Sequence, residues 1–386
     1  MFRSALTWTM FSTMLMTLSV SSPVFSADAP RKLRVYIGTY NARTSEGIYL
    51  SELDLTTGAM TDPQLAGKAV NASFLGVHPT KKFLYAVSEI SDIDGKKTGG
   101  ISAFAIDPAS GQLTLINQQS SAGAGPCHLV VDAAGKNVLV ANYGGGSIAA
   151  LPIVADGKLS PASSAIQHVG ASVNPQRQTA PHAHSINLDA KNKFAFAADL
   201  GLDQVLVYKF DGTKGLLTPN DPPFVKVAEG AGPRHFAFHP SGKFAYVINE
   251  IGNTVTAFGY NGDKGQLAEI QTLSTLPPDF TGTSYTAEVV VHPSGKFLYG
   301  SNRGHNSLAV YAIDEKTGKL TSLEFPLVGG KVPRNFNVDP TGKFILVGNQ
   351  DDDTISVMQV QPAGTLKLLR NDVPAPMPVC IKFVTP

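Results

Sequence analysis

Residues 232–253 read GPRHFAFHPSGKFAYVINEIGN, with Arg234 just before one short apolar run and Glu250 at the end of the next. A guanidinium facing a carboxylate can be a cross-strand ion pair that fixes register, or part of a site for an anionic ligand. Further candidates are scattered along the chain: Glu89, Tyr143, His182 and His184 in PHAHS, Arg303 in SNRG, and Arg334. Arginines suit a carboxylate-bearing or otherwise anionic polar ligand. An imidazole with an ordinary pKa near ~6.5 can move protons at neutral pH. His182 and His184 also have the spacing of a metal pair, but residues two apart share a face only in an extended segment. No third ligand stands close in sequence, so neither a metal nor a cofactor is expected. What matters is whether the fold brings these residues together.

The elements that must position them recur along the chain. HPSGKFAYVINE (239–250) returns as HPSGKFLYGSNR (292–303), DPTGKFILVGNQ (339–350) and HPTKKFLYAVSE (78–89), with weaker copies at 132–143 and 188–200. Lys32 in KLRVYIGT fits the same frame. The anchoring lysines are Lys32, Lys82, Lys136, Lys193, Lys243, Lys296 and Lys343, at intervals of 50, 54, 57, 50, 53 and 47. Seven repeats of this length, rich in alternating β-formers, predict an all-β, seven-bladed propeller with four strands per blade. The first repeat lacks its inner strand. PVCIKFVTP (378–386) aligns with PRHFAFHP (233–240) and is expected to supply it, closing the ring and removing exposed edges.

Inner strands line the channel of a propeller and all start on one face. One ring at that mouth is therefore expected to hold Val379, Ser73, Cys127, His184, Arg234, Ala287 and Arg334. A second beside it holds Thr39, Glu89, Tyr143, Leu200, Glu250, Arg303 and Gln350. With paired residue numbers summing to a constant near 484, Arg234 is predicted to lie directly opposite Glu250. Charges buried at a wall are costly unless paired or used. His78, His239 and His292 fall at the other, turn end and read as scaffolding.

Composition narrows the partners. Lys+Arg number 31 against 30 Asp+Glu, so no global basic field points to nucleic acid or anionic lipid. Residues 1–26 read as a secretory signal, with Arg3, an uncharged run and small residues before a cut after Ser26. The remainder, 27–386, is expected to be one exported domain, periplasmic or secreted, free of the membrane once cleaved and monomeric. Cys127 and Cys380 fall in non-adjacent blades and are expected to be free, buried thiols.

YIGTY (36–40), GPCHLVVD (125–132), ANYGGGS (141–147), PHAHS (181–185), GPRHFAFHPSGKFAYVINE (232–250) and SNRG (301–304) together resemble the seven-bladed propeller lactonases. That family includes bacterial 6-phosphogluconolactonase and the fungal carboxy-muconate lactonising enzyme. The resemblance implies hydrolysis of a small-molecule lactone, with His184 (or His182), Arg234, Glu250 and Arg303 in the active site. Glu89, Tyr143, His182 and Arg334 are then candidates for substrate binding. In that scheme Arg234 and Arg303 hold the carbonyl oxygen, His184 is the base, and Glu250 orients Arg234 or the water. No Gly-x-Ser-x-Gly elbow is present, which disfavours a serine nucleophile. A cytoplasmic sugar phosphate sits poorly with export, so an unphosphorylated aldonolactone fits better. The alternatives for the same face are a muconate-type cycloisomerase and a non-catalytic ligand- or protein-binding propeller.

Overall fold

The computed structural model describes residues 1–2 and 31–385, so the expected signal segment lies almost wholly outside the described residues. The described chain forms 28 strands in seven antiparallel sheets of four, a seven-bladed β-propeller. Within the blade at 233–274 the strands run Pro233–Phe238, Phe244–Asn249, Thr254–Asn261 and Gln266–Ser274, from the channel outward. The C-terminal strand Pro378–Val384 pairs with Lys32–Thr39 and completes the first blade from the inside, as its alignment predicts.

Burial follows distance from the axis. The second strand of a blade, such as Phe244–Asn249, is buried along its whole length between neighbouring sheets, whereas an outermost strand such as Leu113–Ser120 is largely wet. Aromatic and β-branched residues fill the space between blades. Phe196, Phe236, Phe258 and Val247, for example, cement the sheets at 183–226 and 233–274. Cys127 and Cys380 are free and buried.

The turn ends carry the same latch repeatedly. His78, His239 and His292 each bond, through Nε2, a glycine carbonyl in the next blade's turn: Gly135 at 2.9 Å, Gly295 at 2.8 Å and Gly342 at 2.9 Å. Tyr36, Tyr85, Tyr246 and Tyr299 do likewise with their hydroxyls, on Gly111, Gly157, Gly318 and Gly364. Gly242, at φ 67, takes the left-handed position of the His-Pro-Ser-Gly turn. Lys81 and Asn192 occupy it in two other blades at φ 61 and 54.

The open ends depart from the simple register. Pro233 pairs with Asn249 and His235 with Ile248, which leaves Arg234 in a β-bulge without a partner. Glu250 instead donates its backbone N–H to the Gly232 carbonyl at 2.7 Å, so the predicted direct pairing of Arg234 with Glu250 is corrected by two residues. The reason is the bulge, which adds one residue to the inner strand and re-aims its side chain. Register shifts recur at the equivalent places around Val379, Cys127, His184, Ala287–Glu288 and Arg334. A repeated bulge therefore turns the first ring of side chains into the channel mouth.

Candidate active site

The bulge swings the Arg234 guanidinium onto the Glu250 carboxylate even though the two backbones are out of register. Glu250 Oε2 accepts from Arg234 Nε at 2.9 Å and from Arg303 Nη2 at 2.8 Å, while Oε1 accepts from Arg177 Nη2 at 2.6 Å. Arg234 Nη1 also donates to the Ala287 carbonyl at 2.7 Å, and Arg303 Nη2 to the Thr286 carbonyl at 2.9 Å. Exposure grades across the three guanidiniums: Arg234 is 2% exposed, Arg303 16% and Arg177 33%. Arg234 is thus a fixed anchor, and the other two present faces to the mouth.

Imidazoles and an aromatic complete this side. His184 Nε2 lies 3.9 Å from Glu250 Oε2, and its Nδ1 lies 3.6 Å from Cys127 Sγ. Tyr143 stacks on His182 at 4.6 Å between centroids and meets His184 edge-on at 5.1 Å. His182 Nδ1 is 3.0 Å from the Tyr143 carbonyl oxygen, and Arg177 donates to the Tyr143 hydroxyl at 3.3 Å. The remaining acid, Glu89, accepts from the Tyr40 hydroxyl at 2.9 Å and from the Ser73 hydroxyl. Arg334 lies over the Tyr40 ring at 5.4 Å.

Charge balance sets the protonation states. Burial would raise the Glu250 carboxyl, but Arg303, Arg234 and Arg177 outweigh it and hold it down at about 2. Burial pushes the His184 imidazole well below its ordinary value, and Arg234, His235 and Arg334 push it further, so it is neutral at neutral pH. Burial also lowers Arg303, against the pull of Glu250, to about 9, which leaves it charged. Below the mouth, His235 Nδ1 meets Glu288 Oε1 at 2.8 Å, and Asn335 donates to the other carboxylate oxygen. That second pair supports the channel wall behind Arg234. Among the described residues no group of three His, Cys, Asp or Glu is arranged to hold a metal ion.

A family model described as "Lactonase, 7-bladed beta-propeller" matches residues 34–383. The chain belongs to this lactonase family. A 6-phosphogluconolactonase of Bacillus subtilis is 38% identical over 350 residues, covering 90% of this chain and 97% of the relative. Another relative named 6-phosphogluconolactonase, from Formosa agariphila, is 33% identical over 331 residues, covering 84% of this chain and 88% of its own. The solved periplasmic gluconolactonase of Pseudomonas aeruginosa superposes with a TM-score of 0.86 at 33% identity, covering 92% of this chain and 99% of that one.

All eight residues singled out from this lactonase's sequence gather at one mouth: Glu89, Tyr143, His182, His184, Arg234, Glu250, Arg303 and Arg334. Two participants escape the sequence reading. Tyr40 directly follows its strand, and Arg177 sits on the irregular segment between the strands Ser164–Gln167 and Ala183–Leu188. That segment is pinned by buried bonds. His168 Nδ1 lies 2.6 Å from Asp199 Oδ2, and Gln178 Nε2 donates to Asp203 Oδ1 at 2.8 Å. The available signal was the longest repeat interval, 57 residues between Lys136 and Lys193, which marks an insertion.

Proposed function

We propose that this mouth hydrolyses a sugar lactone, and that residues 27–386 act as an exported enzyme on an unphosphorylated aldonolactone. The observation that carries the reading is the convergence of three guanidiniums on one buried carboxylate. Glu250 is too firmly ionised to collect a proton, so it serves as the clamp that holds Arg177, Arg234 and Arg303 against their mutual repulsion. Held so, the arginines need no reorganisation when charge develops on a lactone carbonyl oxygen, which is the requirement for oxyanion stabilisation. After ring opening they face the new carboxylate. His184, neutral in this setting, is available to exchange hydrogen bonds with the substrate beside them. His182 and Tyr143 form a stacked wall suited to a sugar ring.

The names of the relatives support lactone hydrolysis. The reading of residues 1–26 as an export signal, together with the periplasmic neighbour, favours the unphosphorylated substrate. Among the described residues no helix is long and apolar enough to cross a membrane. Acid release by protein lacking residues 1–26 tests the reading, using glucono-1,5-lactone with and without a 6-phosphate against spontaneous hydrolysis. Acceleration is expected for both, with kcat/KM higher for the unphosphorylated lactone. No acceleration of either overturns the function, and preference for the phosphate overturns the substrate.

A further inference from the structure

The mouth holds two carboxylates in opposite circumstances. Glu250 is bonded by three guanidiniums on both oxygens. Glu89 meets no cation within 4.0 Å among the described residues; its Oε2 receives the Tyr40 and Ser73 hydroxyls, and its Oε1 keeps its lone pairs. Its backbone is fixed as well, because the Glu89 N–H donates to the Asn71 carbonyl at 3.1 Å.

Glu89 borders a small cavity of about 10 Å³ at the mouth, whose walls include Tyr40, Ser73, His184, Arg234 and Arg334. That volume matches roughly one water, and a water needs about two to four polar partners, which these walls supply. Arg234 and His184 belong also to the Glu250 cluster, so the cavity adjoins the place where the arginines would hold a carbonyl oxygen.

Resting on the lactonase reading above, we propose that this cavity seats the hydrolytic water and that Glu89 is its general base, with Tyr40 and Ser73 as positioning residues. The water oxygen bonds to the lactone carbonyl carbon while one of its protons passes to Glu89 Oε1. The carbonyl π electrons move onto oxygen beside Arg234 and Arg303. As the tetrahedral intermediate collapses, the bond from carbon to ring oxygen breaks, and Glu89 returns its proton to that oxygen. The second water proton remains on the new carboxyl group and ionises to solvent, leaving Glu89 a carboxylate. The base role expected of His184 passes to Glu89, because His184 turns Nε2 toward Glu250 and Nδ1 toward Cys127, whereas Glu89 is bonded through Oε2 alone and keeps Oε1 for the water.

The test is steady-state hydrolysis of glucono-1,5-lactone across pH by wild type, Glu89→Gln, Tyr40→Phe and Ser73→Ala. In Glu89→Gln, kcat is expected to fall about 100-fold or more, with KM and gluconate affinity by calorimetry within about threefold. Tyr40→Phe and Ser73→Ala each remove a hydrogen bond to the carboxylate and are expected to move the acidic limb of the kcat profile to higher pH. A purely structural role would not move that limb, and these two variants decide the matter should Glu89→Gln fail to fold. A Glu89→Gln kcat within about threefold of wild type, or an unmoved limb in both hydroxyl variants, overturns the assignment while the lactonase reading stands. A wild type that hydrolyses no lactone overturns both.

Discussion

The two ends of the inner hairpins are built from the same repeats and treat them in opposite ways. At the turn end the repeat is kept. His78, His239 and His292 make the same bond to the next blade, and four tyrosines add a second latch of one kind. At the open end the repeat is broken. The position of Arg234 carries Ser73, Cys127, His184, Ala287, Arg334 or Val379 in other blades. Repetition serves a ring in which each blade must meet its neighbour alike. Chemistry at one ligand needs different groups on different sides, so its residues are those in which the repeats disagree.

Substitutions at the open end should separate most sharply from those at the turn end. Arg234→Ala removes a guanidinium that touches Glu250 and backs the oxyanion site. Lactone turnover should fall about 100- to 1,000-fold in an initial-rate assay. Breaking a buried pair should also cost about 3–5 kcal/mol in denaturant unfolding. Turnover unchanged in a folded Arg234→Ala would dissolve the contrast between the ends.

Acid should expose the same asymmetry. The folded Glu250 carboxyl lies at about 2 against an ordinary 4.5, so its contribution to stability is full above pH 4.5 and is lost as pH falls toward 2. Unfolding free energy should therefore drop between neutral pH and pH 2 by about 3 kcal/mol more in wild type than in Glu250→Gln. Equal acid sensitivity would show that the arginine clamp does not hold the carboxylate as described.

The smallest effect belongs to the scaffold. His239→Ala deletes one latch and leaves the Gly295 carbonyl without its imidazole partner. A loss of about 1–3 kcal/mol is expected in unfolding experiments, with kcat and KM within about twofold of wild type. A large drop in turnover with stability unchanged would reverse the roles given to the two ends.

Much of the fold and of the site is legible in the sequence. The period of the lysine-anchored turns specified seven blades, and the missing first inner strand identified the closing strand at 378–384. Pooling equivalent positions brought His184, Arg234, Glu250 and Arg303 to one mouth, because strand direction is common to all repeats. The register at Arg234 was misread, since a bulge leaves no mark in a sequence whose alternation is interrupted for only one residue. Arg177 was missed because it lies on an insertion with no equivalent in the other repeats, and a position without siblings cannot be pooled.

The sequence by itself determined the architecture and the face on which the unlike residues meet, because both follow from a repeated strand pattern. Only the tertiary structure decided which acid is spent and which is free. Glu89 and Glu250 hold the same rank in their repeats, at the ends of HPTKKFLYAVSE and HPSGKFAYVINE. Arg234 of the same hairpin, with Arg177 and Arg303 from other blades, closes on one, while two hydroxyls beside a water-sized cavity meet the other. A carboxylate's basicity depends on the charges within a few ångströms of it, and those neighbours are assigned by the fold.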